Sequence, residues 1–207
     1  MNSLQSEKTA YTLDYSSILR KNVADSVDAK LAIVNDEGLI DAFSRAIQVV
    51  VNAYQKGGRL YVAGNGGSAA DAQHLVAEFV SKLATDRAPL PAESLTTDSS
   101  ILTAIGNDYG YEYIFSRQLK AKLKPNDVFL GITTSGNSAN IISALEICRI
   151  LDCPSIVFSG HEGGKVSNLA DFLILAPGER TSTIQESHIL LCHTLCEAVE
   201  LVLFSLP

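Results

Sequence analysis

The spacing of hydrophobic positions changes part way along the chain, and this change separates a helical N-terminal part from a mixed remainder. Between residues 10 and 56, apolar side chains recur every three or four positions, for example at Leu39, Phe43 and Ala46. That spacing predicts helices with one buried face. Polar residues 35–38 predict a break between two helices, and a glycine pair predicts the end of the second.

Farther along, short apolar runs alternate with stretches of helical spacing. Continuous apolar strands between helices are typical of a parallel sheet that is covered on both faces. The predicted strands span residues 59–63, 92–97, 127–132, 154–159 and 171–175. The predicted helices span residues 68–83, 99–106 and 111–122, a stretch that ends at 151, and a long apolar stretch over 182–204. We therefore predict an α/β fold in one domain, residues 1–207, with N-terminal helices over 1–57 and an α/β core with a C-terminal helix over 58–207.

Composition and charge narrow the functional classes. The formal net charge is −7 and no stretch concentrates lysine or arginine, so we expect no nucleic-acid partner. No apolar run approaches the ~20 residues that a membrane span needs, and the N-terminus lacks the apolar core of a signal peptide. We therefore predict a cytoplasmic protein without a membrane partner. The four cysteines form no CxxC pair and lie in apolar segments, which favours buried free thiols.

A glycine- and serine-rich turn joins the first predicted strand of the core to a helix. It runs Gly64-Asn-Gly-Gly-Ser68, and we call it the glycine loop. Small residues at a helix N-terminus let backbone N–H groups bind an anion. The loop also loosely matches the dinucleotide pattern Gly-x-Gly-x-x-Ala, but the acidic residue that should follow about 20 positions later is absent. The turn therefore favours a small anionic substrate over a dinucleotide.

A second turn of the same kind follows the strand predicted over 127–132. It places four hydroxyls around Gly136, and we call residues 133–138 the hydroxyl loop. A single hydroxyl is enough to cap the following helix, whereas four hydroxyls with helix N–H groups can hold a phosphate. The hydroxyl loop therefore predicts a phosphate site. Its hydroxyl residues are Thr133, Thr134, Ser135 and Ser138.

Two helices carry side chains suited to acid–base or metal chemistry. His74 and Glu78 are four residues apart, so they project from one face of a helix. Gln185 and His193 share the last helix, and His193 lies in an apolar stretch where an unpartnered imidazole would cost stability. Two histidines, a glutamate and an amide oxygen suit a metal such as zinc. The other interpretation is a polar stripe with an incidental pair, and the choice depends on whether the two helices meet.

Four stretches carry a resemblance to a known family. They are Gly64-Asn-Gly-Gly-Ser-Ala-Ala-Asp-Ala-Gln-His74, Ala104-Ile-Gly-Asn-Asp-Tyr-Gly110, Gly131-Ile-Thr-Thr-Ser-Gly-Asn-Ser138 and Ile184-Gln-Glu-Ser-His-Ile189. In this order they resemble the sugar isomerase (SIS) domain family, and within it the phosphoheptose isomerases. The resemblance implies a flavodoxin-like three-layer fold with a helical N-terminal extension and a long C-terminal helix. It also implies a homotetramer with active sites near subunit interfaces.

The resemblance also implies roles for individual residues. One zinc ion per subunit would be held by His74, Glu78, Gln185 and His193. Glu78 is the expected base and His193 the expected acid, since an aldose–ketose isomerisation moves a proton between two carbons through an enediol. The remaining implied substrate contacts, beside Glu78 and Gln185, are Asn65, Gly66, Gly67 and Ser68 for the sugar, Asn107 and Asp108, and Thr133, Thr134, Ser135 and Ser138 for the phosphate.

The implied reaction converts D-sedoheptulose 7-phosphate to D-glycero-D-manno-heptose 7-phosphate in bacterial heptose biosynthesis, for lipopolysaccharide or capsule. Three positions depart from the family pattern: Thr133 replaces a common serine, Ser81-Lys82 replaces Gly-Arg, and Thr183 replaces a common arginine. These departures leave open an isomerase of another phosphosugar. A second alternative is a non-catalytic SIS protein that binds a partner, as does a relative associating with the replication initiator DnaA. The presence of Glu78 and His193 favours the enzyme.

Overall fold

Two long helices precede the sheet in the computed structural model, which describes residues 14–205. Helix α1 spans Tyr15–Val34 and helix α2 spans Glu37–Gln55. The predicted break between them is confirmed, and its cause is local: the Asp36 carboxylate accepts a hydrogen bond from Leu39 N at 2.9 Å, so it caps α2. The part of the N-terminal prediction that covers residues 10–13 lies outside the described residues.

The core is a five-stranded sheet in which every neighbouring pair is parallel. The strand order is β2-β1-β3-β4-β5, which is the flavodoxin-like order, so the predicted fold class is confirmed. The order reverses direction between β1 and β3, and ligands in such folds bind beyond the carboxyl ends of the strands at this point. The strands are β1 (Leu60–Gly64), β2 (Ala92–Ser94), β3 (Val128–Thr133), β4 (Ser155–Gly160) and β5 (Phe172–Ala176).

Helices cover both faces of the sheet. One apolar cluster joins α2, α3 and α7 to the sheet, and a second joins α5 and α6 to the opposite face. Alternate residues of one strand serve the two clusters, as Leu130 and Phe129 of β3 do. Helix α2 therefore shares an apolar cluster with the sheet, while the single-domain bounds of 1–207 stay a prediction. The remaining helices are α3 (Gly67–Val80), α4 (Ser99–Asp108), α5 (Ser116–Lys122), α6 (Ala139–Ile150) and α7 (Thr181–Glu200), with short 3-10 turns at Tyr111–Tyr113 and Gly164–Asn168 and a π-helical turn at Leu201–Ser205.

Several elements differ from their predicted extents, and three of the differences follow from local contacts or breaks. Strand β2 ends at Ser94 rather than at 97, because hydroxyls there bond locally: Thr97 Oγ1 donates to Ser94 O at 3.1 Å. The helix predicted over 111–122 is divided into a 3-10 turn and α5. Helix α3 ends at Val80 rather than at 83, since Arg87 donates hydrogen bonds to carbonyls of its last turn.

One helix is long and apolar enough to span a membrane by length and composition alone, although no uninterrupted apolar run of the chain approaches ~20 residues. Residues Thr181–Phe204 form a continuous helical segment whose best 18-residue window has a mean hydropathy of 1.5. Of that window, 44% is buried inside the protein, and Ile184, Leu195 and Val199 pack into the apolar cluster beneath α2 and α3. A core helix of a soluble protein passes the same test, and this packing is of that kind. The four cysteines are buried free thiols, as predicted.

Candidate active site

The glycine loop and the hydroxyl loop lie side by side at the reversal point of the sheet. Gly64 at the end of β1 is in register with Ile132 near the end of β3, so the two loops leave neighbouring strands. A pair of amides joins them: Asn65 Nδ2 donates to Asn140 Oδ1 at 2.9 Å, and Asn140 Nδ2 donates to Asn65 Oδ1 at 2.8 Å. Asn140 is buried in the first turn of α6. The two predicted loops therefore form one surface.

Helix α7 approaches the glycine loop closely because Gly67 has no side chain. A Cβ at Gly67 would lie 2.5 Å from Nε2 of Gln185, so any larger residue would displace that amide. The preceding Gly66 has φ of +57°, a conformation that L-residues other than glycine rarely adopt. The loop therefore needs glycine at both positions. Gly67 allows the close approach of α7, and Gly66 allows the backbone conformation.

The hydroxyl loop is held by contacts within itself and with the loop after β4. Thr133 Oγ1 and Ser138 Oγ are 3.0 Å apart, and Asn137 N donates to Ser135 Oγ at 3.2 Å. A Cβ at Gly136 would lie 1.9 Å from the carbonyl oxygen of Gly163, which fixes how closely the two loops pack. Ser138 is the N-cap residue of α6, yet its side chain makes no capping hydrogen bond. Capping therefore does not account for that hydroxyl.

Helices α3 and α7 meet at three side chains with ligating atoms. His74 Nε2 lies 3.1 Å from Glu78 Oε1 and 3.5 Å from His193 Nε2. The two imidazole rings are 5.0 Å apart and inclined at 77°. We call His74, Glu78 and His193 the His/Glu cluster; its ligating atoms all lie within 4.8 Å of one another. The question that the sequence left open is answered, because the two helices do meet.

The geometry of the His/Glu cluster fits a small cation. Ligands about 2.1 Å from a tetrahedral zinc ion lie roughly 3.4 Å from one another. The two separations from His74 Nε2, at 3.1 and 3.5 Å, are close to that value. Two imidazole nitrogens and one carboxylate oxygen are also the donor types that zinc accepts. These three residues therefore suit a metal that keeps a further position for another ligand.

Gln185, Asn107 and Asp108 make none of the contacts that define this cluster. The Gln185 amide lies against Gly67 at the start of α3, and eight residues of α7, about 12 Å of rise, separate it from His193. A fourth ligand at Gln185 therefore stays a prediction. Asn107 and Asp108 end α4, where they are exposed and Asn107 Nδ2 donates to Asp108 Oδ1 at 2.8 Å.

Two residues at this site escaped the sequence analysis. Tyr111 Oη donates to Asn65 Oδ1 at 3.0 Å, and Asn140 makes the amide pair described above. Tyr111 is exposed on the short turn after α4, and Asn140 resembles any polar residue in a first helical turn. No periodicity marks them, although each lies within three residues of a stretch that carries the family resemblance.

His188, the other histidine of α7, is buried in the protein interior and is not part of the His/Glu cluster. It is fully buried, and its Nε2 donates to Ser159 O at 3.1 Å. Burial lowers the pKa of His188 to about 4, so the ring is neutral near pH 7. Its Nδ1 is buried without a hydrogen-bond partner, which fits this neutral form.

Comparisons with known proteins identify the family of this chain. The SIS domain profile matches residues 24–160. The phosphoheptose isomerase of Aneurinibacillus thermoaerophilus is 48% identical over 186 residues, which cover 90% of this chain and 94% of that protein. Phosphoheptose isomerase 2 of Campylobacter jejuni is 49% identical over 189 residues, 91% of this chain and 94% of that protein.

Solved structures give the same result. Phosphoheptose isomerase from Neisseria gonorrhoeae superposes with a TM-score of 0.84 at 38% identity, over 90% of this chain and 99% of that one. The Francisella tularensis phosphoheptose isomerase gives a TM-score of 0.86 at 34% identity, over 90% and 98% of the two chains. The chain therefore belongs to the SIS domain family and, within it, to the phosphoheptose isomerases, which are enzymes.

Proposed function

We propose that this protein converts D-sedoheptulose 7-phosphate to D-glycero-D-manno-heptose 7-phosphate in the cytoplasm, as a step of bacterial heptose biosynthesis. The observation that carries the proposal is the His/Glu cluster, which brings a carboxylate and two imidazoles together between α3 and α7. Helix α3 begins at the glycine loop, so this proton-transfer chemistry stands beside the two loops at the reversal point of the sheet. The names of the relatives support a phosphorylated sugar as the substrate.

In this proposal each loop binds a different part of the substrate. The hydroxyl loop binds the phosphate through Thr133, Thr134, Ser135 and Ser138, together with N–H groups at the start of α6. The glycine loop lets the sugar chain approach the backbone from Asn65 to Ser68. Gln185 lies against that loop and contacts the sugar, as do Asn107 and Asp108 at the end of α4.

The isomerisation moves one proton between adjacent carbons, and no external oxidant or reductant is needed. Glu78 removes the proton from C1 of the ketose, while His193 gives a proton to the oxygen on C2, which forms the enediol. Glu78 then returns the proton to C2 and His193 accepts the proton of the oxygen on C1, which becomes the aldehyde. Both side chains end in the protonation states in which they began.

We also propose one zinc ion per subunit, held by the His/Glu cluster with Gln185 as the fourth ligand. When bound, zinc acts as a Lewis acid that polarises the sugar oxygens. His74 would be a ligand only, whereas Glu78 and His193 would be ligands that also carry the proton transfers. The metal would lower the basicity of the Glu78 carboxylate while it is bound.

The proposed assembly is a homotetramer. Helix α1 presents a row of apolar side chains that its own chain leaves between 48% and 77% exposed. A contiguous apolar face of this kind is typical of a protein–protein interface. The row consists of Tyr15, Leu19, Val23, Val27, Leu31 and Val34.

Direct turnover tests the proposal. The purified protein with zinc is incubated with sedoheptulose 7-phosphate in D2O, and the product is followed by proton NMR. We expect the aldose to form and deuterium to appear at its C2, because a proton held on Glu78 exchanges with solvent. A pentulose 5-phosphate serves as the parallel substrate. The absence of aldose from the heptulose would reject the proposed substrate, and turnover of the pentulose alone would favour the other phosphosugar interpretation.

A further inference from the structure

A buried ion pair joins the end of α3 to the end of α7. Arg87 follows α3 and its side chain is 1% exposed, while Glu200 ends α7 and its side chain is 5% exposed. Arg87 Nε and Nη2 lie 2.9 and 2.7 Å from the same oxygen, Glu200 Oε1. Leu83 N donates to this oxygen as well, at 3.1 Å. Three donors from the segment that follows α3 therefore converge on one oxygen of this carboxylate.

The same arginine caps α3. Its Nη1 donates to Phe79 O at 2.6 Å, and its Nη2 donates to Glu78 O at 2.8 Å. Both carbonyls belong to the last turn of the helix, where intrahelical donors are missing. One planar guanidinium thus bonds two carbonyls of α3 and a carboxylate of α7 at once. Lysine cannot do this, because its ammonium is a single point of charge without a fixed fork.

The two helices that this arginine joins are the two that carry the His/Glu cluster. Glu78 takes part in both: its carbonyl oxygen accepts from Arg87, and its side chain lies 3.1 Å from His74. On α7, His193 and Glu200 are seven residues apart, which places them on the same side of the helix two turns apart. A shift of α3 along α7 would therefore break the Arg87–Glu200 contacts and separate His74 from His193 together.

A contribution to folding stability does not by itself explain why these two charges are buried together. Burying two charges costs desolvation energy that their attraction barely repays, and replacing both by apolar residues of similar size is often neutral or stabilising. Directional bonds from a buried arginine do, however, define position more narrowly than apolar contacts do. The geometry of the His/Glu cluster depends on the relative position of these two helices.

We propose that Arg87 is a positioning residue which, with Glu200, fixes α3 against α7 and so holds His74 and Glu78 opposite His193. The consequence for turnover rests on the proposed function, whereas the consequence for the cluster geometry does not. The competing interpretation is that the pair only stabilises the fold, in which case activity and metal binding follow stability.

Four variants separate the two interpretations: Arg87→Met, Arg87→Lys, Glu200→Gln and the double variant Arg87→Met/Glu200→Leu. Each is measured for unfolding in urea, for zinc affinity by competition with a coloured chelator, and for kcat and KM. We expect the single changes to Met and Gln to lower zinc affinity and kcat about 10-fold, the lower end of effects seen for residues that orient ligands. KM should stay within about 2-fold of the wild-type value, because the hydroxyl loop, which is proposed to bind the phosphate, is unchanged. The zinc affinity and kcat of Arg87→Lys should lie between those of the wild type and those of Arg87→Met.

The double variant is decisive. It has no unpaired buried charge, so we expect it to be more stable than either Arg87→Met or Glu200→Gln, while zinc affinity and kcat stay low. Recovery of affinity and kcat together with stability would overturn the proposal. Leu119→Ala, in the apolar cluster on the opposite face of the sheet, is the matched control: it lowers stability and should leave zinc affinity unchanged.

A crystal structure of the double variant gives a readout that needs neither turnover nor zinc. We expect the separation between His74 Nε2 and His193 Nε2 to exceed the 3.5 Å of the wild type. An unchanged separation would reject the positioning role even if the wild type is fully active. The two proposals can also fail separately. If the wild type does not turn over the heptulose, the proposed substrate is rejected. If the double variant then still shows a displaced cluster, the positioning role stands.

Discussion

At Asn65 a single amide oxygen accepts two hydrogen bonds, one from Tyr111 Oη at 3.0 Å and one from Asn140 Nδ2 at 2.8 Å. Through these bonds one residue of the glycine loop connects the start of α6 with the turn after α4. Because the sugar is proposed to bind along this loop, the orientation of the Asn65 side chain should affect how well the substrate is held.

Removing the Tyr111 hydroxyl tests this connection. We expect Tyr111→Phe to lower kcat/KM for the phosphosugar by about 3- to 10-fold, the loss that corresponds to one hydrogen bond. Steady-state kinetics measure the change. Tyr113→Phe is the matched control, since Tyr113 lies in the same turn and its hydroxyl makes no hydrogen bond to residues 14–205. Equal kcat/KM in the two variants would contradict the role of Tyr111.

The proposed base gives the largest expected effect at the residue scale. Glu78→Gln keeps the shape of the side chain and removes its ability to accept a proton from carbon. We expect kcat to fall by roughly 10²- to 10⁴-fold, the range for loss of general acid–base catalysis, with an unchanged circular dichroism spectrum. Glu197→Gln, an exposed glutamate one turn after His193, should leave kcat unchanged. Turnover by Glu78→Gln at the wild-type rate would reject the assignment.

Among the elements, the helix α7 could be predicted from its sequence, but its contact with α3 could not. Its apolar spacing predicted a long helix over 182–204, and the structure has Thr181–Glu200 with a π-helical turn after it. The approach of His193 to His74 depends on tertiary packing across 119 residues, which periodicity in one helix does not contain. Candidate site residues on the loops could be predicted because glycine and hydroxyl patterns are local. Asn140 and Arg87 were missed because their partners lie on other elements.

The buried His188 gives α7 a specific acid sensitivity. The pKa of this ring is lowered from 6.5 to about 4 by burial, so between these pH values the unfolded chain binds a proton that the folded chain does not. The free energy of unfolding must therefore fall as the pH falls through this window. At ~1.4 kcal/mol for each pH unit, this group contributes a loss of roughly 3 kcal/mol.

His188→Gln keeps a donor for the Ser159 carbonyl and cannot titrate. We expect its unfolding free energy to decline less than that of the wild type between pH 7 and about pH 4, by up to roughly 3 kcal/mol. Urea unfolding at several pH values measures the two slopes. His161→Asn, which changes an exposed histidine, should retain the wild-type slope. Parallel declines in His188→Gln and wild type would contradict the neutral, buried ring.

For the whole molecule, the apolar face of α1 predicts an assembly larger than one chain. We expect Leu19→Glu/Val27→Glu to sediment as a smaller species than the wild type in analytical ultracentrifugation, because two charges would be buried in the proposed interface. The folded monomer should survive, since both side chains are already about half exposed or more in the single chain. Lys120→Glu, an exposed change on α5 with the same effect on net charge, is the control. Unchanged sedimentation of the double variant would reject the α1 interface.

The order of synthesis gives the His193–His74 contact a further consequence. Every strand and both loops precede α7 in the chain, so they leave the ribosome before His193 and Glu200 do. Until α7 packs, the apolar surfaces of α2 and α3 that it covers remain open to solvent. We expect an unfinished chain without α7 to expose these apolar surfaces and to lack His193, the proposed acid. Chaperones and proteases can therefore bind incomplete copies through the apolar surface that α7 covers in the folded protein.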